Sequence, residues 1–154
     1  WRLGYIGASK QIADACTKIQ GQFTSGTCSI TQKAAIAAMD ADPIVLKDMI
    51  GAFKSRRSLV LDALGTIEGV KTNVPEGAFY VFPDISYFIG KSVNGKVMNS
   101  GSDLCMYLLE HASVALVTGE AFGDSSCIRI SYAASEETLT EAMSRIKNAL
   151  EKLT

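Results

Sequence analysis

A chain of 154 residues, 47% hydrophobic and 20% charged, can bury a core of its own and fits one globular domain, or a small domain with part of another attached. Fifteen Lys and Arg against sixteen Asp and Glu give a net charge of −1, scattered so that only Arg56 and Arg57 form a basic pair. This excludes the basic footprint of a nucleic-acid-binding protein and the polybasic anchor of a membrane-surface protein, and no apolar run reaches the roughly 18 residues of a membrane span.

The first segment, WRLGYIGA, runs apolar from Trp1 with no polar lead-in, and Trp1 to Ala8 is predicted to form a strand. Its pairing partner is expected in sequence upstream, so the chain is expected to begin inside a longer protein. Ser9 is a candidate N-cap for a helix with Ile12, Cys16, Ile19 and Phe23 at helical spacing. Thr24 to Thr27 break it. Ser29, followed three residues later by Gln32, has the spacing of a capping box ahead of an Ala-rich helix to Met39.

Asp42 and Pro43 open the longest helical pattern, with Leu46, Met49, Ile50, Phe53, Val60, Leu61 and Leu64 on one face. At 1.5 Å per residue its roughly 22 residues make a rod of about 33 Å, long enough to leave one domain and enter another. A domain boundary is therefore expected within it, between residues 1–55 and residues 56–154.

Beyond Gly65 and Gly69, Val70–Val74 and Phe79–Phe82 read as two strands across a turn at Pro75-Glu76-Gly77. Ser86–Ser100 reads as a long irregular segment. Then come a helix over Ser102–His111, strands at Val114–Val117 and Cys127–Ser131, and a helix after an N-cap at Ser135, with Leu139, Ala142, Met143, Ile146, Leu150 and Leu153 on one face. Helices covering a small, mostly antiparallel sheet make an α/β chain whose part from Val70 onward is α+β in organisation.

Cys16, Cys28, Cys105 and Cys127 stand far apart with no C-x-x-C pair and a single histidine, His111, which argues against zinc or another metal. They are expected to be buried free thiols of a cytoplasmic protein. His111, at a helix end, is read as a partner of the helix dipole. Two arginines stand out. In Cys127–Tyr132 a period of two puts Ile128, Ile130 and Tyr132 on one face and Arg129 on the other, so this guanidinium must meet water, a carboxylate of the chain or a ligand anion. A snorkelling or salt-bridged arginine and a carboxylate-binding one both fit the pattern. Arg2, beside Trp1 at the edge of an apolar segment, is open in the same way.

Taken in order, WRLGYIG, TSGTCSITQKAA, VPEGAFYVFPD, MYLLE, TGEAFG and CIRISYAAS resemble the class I and II aminotransferases of fold type I, the pyridoxal 5'-phosphate enzymes of the aspartate aminotransferase kind, over essentially the whole chain. The resemblance implies the C-terminal part of such an enzyme, residues 1–55 closing a large cofactor-binding domain and residues 56–154 forming a small domain. It implies that Arg2 binds the cofactor phosphate, that Arg129 holds the substrate α-carboxylate, and that the cofactor lysine precedes Trp1, so that no residue of the chain is catalytic and the chain alone is inactive. Gly77–Tyr80 resembles a strand that moves on substrate closure, Gly119–Gly123 a loop near the substrate carboxylate, and Thr24–Ser29 a segment near the interface of a homodimer. Thr118 stands where the family often has proline. The implied partners are an amino acid, aspartate first among them, and a 2-oxo acid, with prephenate and aromatic substrates open. On the helix and sheet pattern alone, a non-enzymatic ligand-binding or interaction module is the alternative.

Overall fold

The computed structural model describes residues 1–154, and its first nine carry no regular secondary structure, against the strand predicted for Trp1–Ala8. A strand exists only as one side of a hydrogen-bonded ladder, and no backbone group elsewhere in the chain pairs with this segment. The chain divides into two units, Trp1–Lys47 and Asp48–Thr154.

In the first unit, helix α1 spans Lys10–Phe23 with Ser9 at its N-cap, and helix α2 spans Ser29–Asp40. The expected capping box is not formed. Cys28, rather than Ser29, is the N-cap of α2, and the Gln32 side chain donates to the Thr27 carbonyl at 2.7 Å. Asp42 is an N-cap as predicted, accepting from the Ile44 N–H at 2.9 Å, but the turn it caps, Pro43–Leu46, is a 3-10 turn rather than α-helix. Thr31 is the one buried residue of this unit, so Cys16 and Cys28 are exposed, contrary to the expectation of buried thiols.

The second unit holds the core. Helix α3, Lys47–Gly65, buries Val60 and Leu64; helix α4, Gly101–Ala112, buries Leu104, Tyr107 and Leu108. Helix α5, Glu136–Leu150, buries Leu139, Met143, Ile146, Ala149 and Leu150, which is the face that helical spacing predicts. The one polar group of Tyr107 is satisfied by donation to the Ala149 carbonyl at 3.0 Å, which joins α4 to the end of α5. Ser135 caps α5, accepting from the Thr138 N–H at 3.1 Å. Ser135→Ala is expected to cost about 1 kcal/mol of stability, seen as a lower urea midpoint with an unchanged slope.

Three antiparallel strands lie in the order β1 (Tyr80–Val81), β5 (Ile128–Ser131) and β4 (Val117–Thr118). Tyr80 faces Ser131 and Val81 faces Ile130 across one ladder; Val117 faces Arg129 and Thr118 faces Ile128 across the other. The strand expected at Val70–Val74 shrinks to a single bridge, in which Lys71 and Asp84 exchange backbone hydrogen bonds of 3.2 and 2.8 Å. The irregular stretch expected at Ser86–Ser100 is instead structured. It contains a hairpin of β2 (Ser92–Val93) and β3 (Lys96–Val97) turning on Asn94-Gly95, both with positive φ, +50° and +80°. Asn-Gly is the turn pair that fits the twist of two such strands. The fold is thus the expected combination of helices with a small, mostly antiparallel sheet, without its leading strand.

Candidate functional site

Arg129 occupies the central strand β5, where alternate residues Ile128 and Ile130 are buried beneath the sheet and Arg129 points to the opposite face, half-exposed. It has no salt bridge and no side-chain hydrogen bond. Its guanidinium carbon lies 4.4 Å from the ring centroid of Tyr80 and 4.6 Å from that of Phe122. The register explains Tyr80: it stands opposite Ser131, one diagonal step from Arg129 on the same face. The group is therefore a cation held by two aromatic faces with its N–H donors unspent, and such a fork matches a carboxylate. No acid of the chain pairs with Arg129, so of the readings the alternation left open a snorkelling arginine and a carboxylate-binding one remain.

Phe122 comes from the turn between β4 and β5. Gly119–Phe122 is a 3-10 turn whose N-cap, Thr118, accepts from the Glu120 N–H at 3.4 Å, and Gly123 closes it with φ +88°. Thr118 and Glu120 are both bonded by the Ser102 hydroxyl of α4, at 3.1 Å and 2.9 Å. At Gly119 an added Cβ would collide with the carbonyl oxygens of Asp124 and Cys127, so only glycine lets the turn pack this closely. Asp124 accepts from the Ser126 hydroxyl at 2.6 Å and N–H at 2.9 Å, which holds its carboxyl below the ordinary range. Burial pushes the Cys127 thiol up, and that of Cys105 to about 11.

Arg2 lies in the first unit, exposed and with φ +58°. It lines a hollow of about 490 Å³ with Trp1, Thr24, Thr27, Cys28 and Thr31, at the N-terminal end of α2. The backbone N–H groups of Thr31 and Ile30, in the first turn of α2, hold the Cys28 thiol below its usual range. A guanidinium, threonine hydroxyls and a helix N-terminus around one hollow form a donor set suited to an oxyanion such as a phosphate ester. Thr24–Ser29 thus contributes to the hollow that Arg2 lines, a juxtaposition the sequence pattern did not indicate.

A groove of about 670 Å³ in the second unit runs along Ser113–Leu116 and α5, and Arg129 does not line it. Its lining is mainly apolar and its one cation, Arg145, is engaged by Glu141 at 2.7 Å, so it lacks the converging free donors found at Arg129. His111 sits in the last turn of α4 with its ring 5.0 Å from that of Tyr107. Sequence reasoning missed Tyr80 and Phe122 as neighbours of Arg129, although both lie within motifs it singled out. An aromatic opposite the residue two beyond an arginine was the available signal for Tyr80.

A family model described as aminotransferase class I and II matches residues 1–146. A bifunctional aspartate aminotransferase and glutamate/aspartate-prephenate aminotransferase from Petunia hybrida is 52% identical over 154 residues, 97% of this chain and 32% of that protein. An aspartate aminotransferase from Rhizobium meliloti is 44% identical across 99% of this chain and 38% of its own length. The crystal structure of the aspartate aminotransferase from Rhizobium meliloti superposes with a TM-score of 0.86 at 42% identity, covering 100% of this chain and 39% of that one. An aromatic aminotransferase from Pyrococcus horikoshii gives 0.79 at 32% identity, over 98% of this chain and 39% of its own. The chain spans about a third of the length of the curated relatives it matches.

Proposed function

The chain belongs to the aminotransferase class I and II family, and from that we propose that it is the C-terminal part of an enzyme moving an amino group between an amino acid, aspartate first among them, and a 2-oxo acid. The observation that carries the reading is Arg129: a guanidinium with no acidic partner in the chain, its carbon over two aromatic rings, on the central strand of the sheet. A carboxylate is the one group that every amino-acid and 2-oxo-acid substrate of such a reaction has in common. Arg129 binds it through two parallel N–H donors, which orients the substrate without taking part in bond making. Relatives named for aspartate and for aspartate with prephenate support aspartate as the amino donor.

The cofactor is pyridoxal 5'-phosphate, which supplies the electron sink for chemistry at the substrate α-carbon. Arg2 holds its phosphate, and the Thr24 and Thr27 hydroxyls and the first turn of α2 supply further donors. Residues 1–55 then close the large cofactor-binding domain and residues 56–154 form the small one, in a cytoplasmic homodimer with Thr24–Ser29 close to the subunit interface. The 154 residues alone are inactive, the cofactor lysine being supplied by preceding sequence.

The test uses the full-length enzyme. Aspartate and a 2-oxo acid should exchange an amino group; absence of transfer with any amino acid would refute the reaction. For Arg2, equilibrium binding of pyridoxal 5'-phosphate is compared with that of pyridoxal, which lacks the phosphate. Charge-assisted hydrogen bonds contribute about 1.5–3 kcal/mol, so Arg2→Ala should weaken the phosphorylated form roughly tenfold to a hundredfold and leave pyridoxal nearly unchanged. Equal weakening of both would remove Arg2 from the phosphate site.

A further inference from the structure

We propose that Tyr80 and Phe122 are positioning residues that hold the Arg129 guanidinium in its carboxylate-binding orientation, a proposal that rests on the reading of Arg129 as the substrate's carboxylate anchor. Two other arginines of this unit are held through their N–H donors, while Arg56, which makes no hydrogen bond, lies over one ring, that of Phe53 at 5.6 Å, where Arg129 has two. Arg145 is fixed by Glu141 at 2.7 Å, and Arg57 donates to the Pro75 carbonyl at 2.7 Å. Each spends donors to be held. Arg129 spends none: its guanidinium carbon lies over two aromatic rings, and its N–H donors make no hydrogen bond within the chain. A carboxylate in their place would restrain the group equally well but would compete with the substrate for the same fork. The ring surfaces beside the cation also displace water from part of it, which strengthens its attraction for an incoming anion.

Both rings are themselves anchored. Tyr80 is in a strand paired to β5, and its ring lies 4.3 Å from that of Phe79. Phe122 meets Phe82 edge-on at 6.1 Å and is carried by the turn that Ser102, Thr118 and Glu120 tie to α4. Tyr80 comes from β1 and Phe122 from the β4–β5 turn, so the clamp assembles only when the three strands are paired.

The experiment uses the full-length holoenzyme with Phe122→Leu, Tyr80→Leu and Tyr80→Phe. The unreactive dicarboxylate succinate serves as binding probe, with kcat and KM for aspartate measured in parallel and circular dichroism checking that each variant is folded. Each Leu variant should raise the succinate Kd and the aspartate KM roughly twofold to thirtyfold, the range of a partly desolvated cation–π contact, with a smaller change in kcat. Tyr80→Phe keeps the ring face and should recover most of that loss. In an Arg129→Ala background, Phe122→Leu should lower kcat/KM by less than about twofold further, since the rings act through the arginine. If Arg129→Ala weakens succinate but both Leu variants bind it as the unmodified enzyme does, the positioning role is wrong while the anchor stands. If Arg129→Ala leaves succinate binding intact, the anchor reading fails first. Full multiplicative losses in the Arg129→Ala background would also overturn the proposal, because the rings would then act independently of the arginine.

Discussion

Arg129→Ala, introduced into the full-length enzyme, is expected to lower kcat/KM by at least about tenfold for every amino-acid and 2-oxo-acid substrate alike. The tenfold floor comes from one charge-assisted hydrogen bond of about 1.5 kcal/mol, and the loss grows if both prongs of the fork bind in the transition state. The effect should not discriminate among side chains, because the α-carboxylate is common to all substrates. Arg129→Lys keeps the charge on the same strand but loses the planar fork, and should restore only part of the activity. A structural arginine makes the opposite forecast, a lower Tm with near-normal kinetics per folded molecule. The structure gives little ground for that outcome, since Arg129 holds no carboxylate whose loss would unfold the sheet. Measuring kcat/KM and Tm on one preparation separates the two, and an unchanged kcat/KM would remove the carboxylate assignment.

Leu108→Ala should have the largest effect on stability. Leu108 is 0% exposed on the inner face of α4, within the cluster that includes Leu104, Val81, Ile128 and Ile146. Removing the isobutyl group forfeits its transfer free energy and leaves a cavity that a close-packed core closes only in part, together about 2–5 kcal/mol. Leu108→Met, similar in volume, should cost less than about 1.5 kcal/mol. Urea unfolding followed by circular dichroism reads both. If the alanine variant unfolded within about 0.5 kcal/mol of the unmodified protein, α4 would not be a central layer of this core.

The helices were largely legible because their signals are local. Ser9, Asp42 and Ser135 occupy the N-cap positions assigned from their residue type, and the buried face of α5 reflects 3.6-residue spacing. Errors of type or boundary arose where neighbouring groups competed: Cys28 took the cap expected of Ser29, and Pro43 began a 3-10 turn before the α-helix. The hairpin at Asn94-Gly95 has a local signal, the Asn-Gly pair itself, masked by the Gly, Ser and Asn residues around it. Arg129 could be singled out because an arginine in a strand of alternating apolar residues is conspicuous in one dimension. The ordered motifs likewise pointed to the aminotransferase family, which the family match over residues 1–146 supports.

The amino-acid sequence by itself thus determined the helical elements, the apolar face that α5 buries and the family to which the chain belongs. Only the tertiary structure decided which apolar runs become strands and what stands beside Arg129. A helix satisfies its own backbone within four residues, so its sequence is enough to specify it, whereas a strand is completed by a partner that sequence spacing does not identify. Trp1–Ala8 and Val70–Val74 have strand composition and form no ladder beyond one bridge, while Tyr80–Val81 and Val117–Thr118 become strands because β5 lies between them. The same pairing brings Tyr80 and Phe122 to Arg129, and it decides that this cation is held by two rings instead of by an acid.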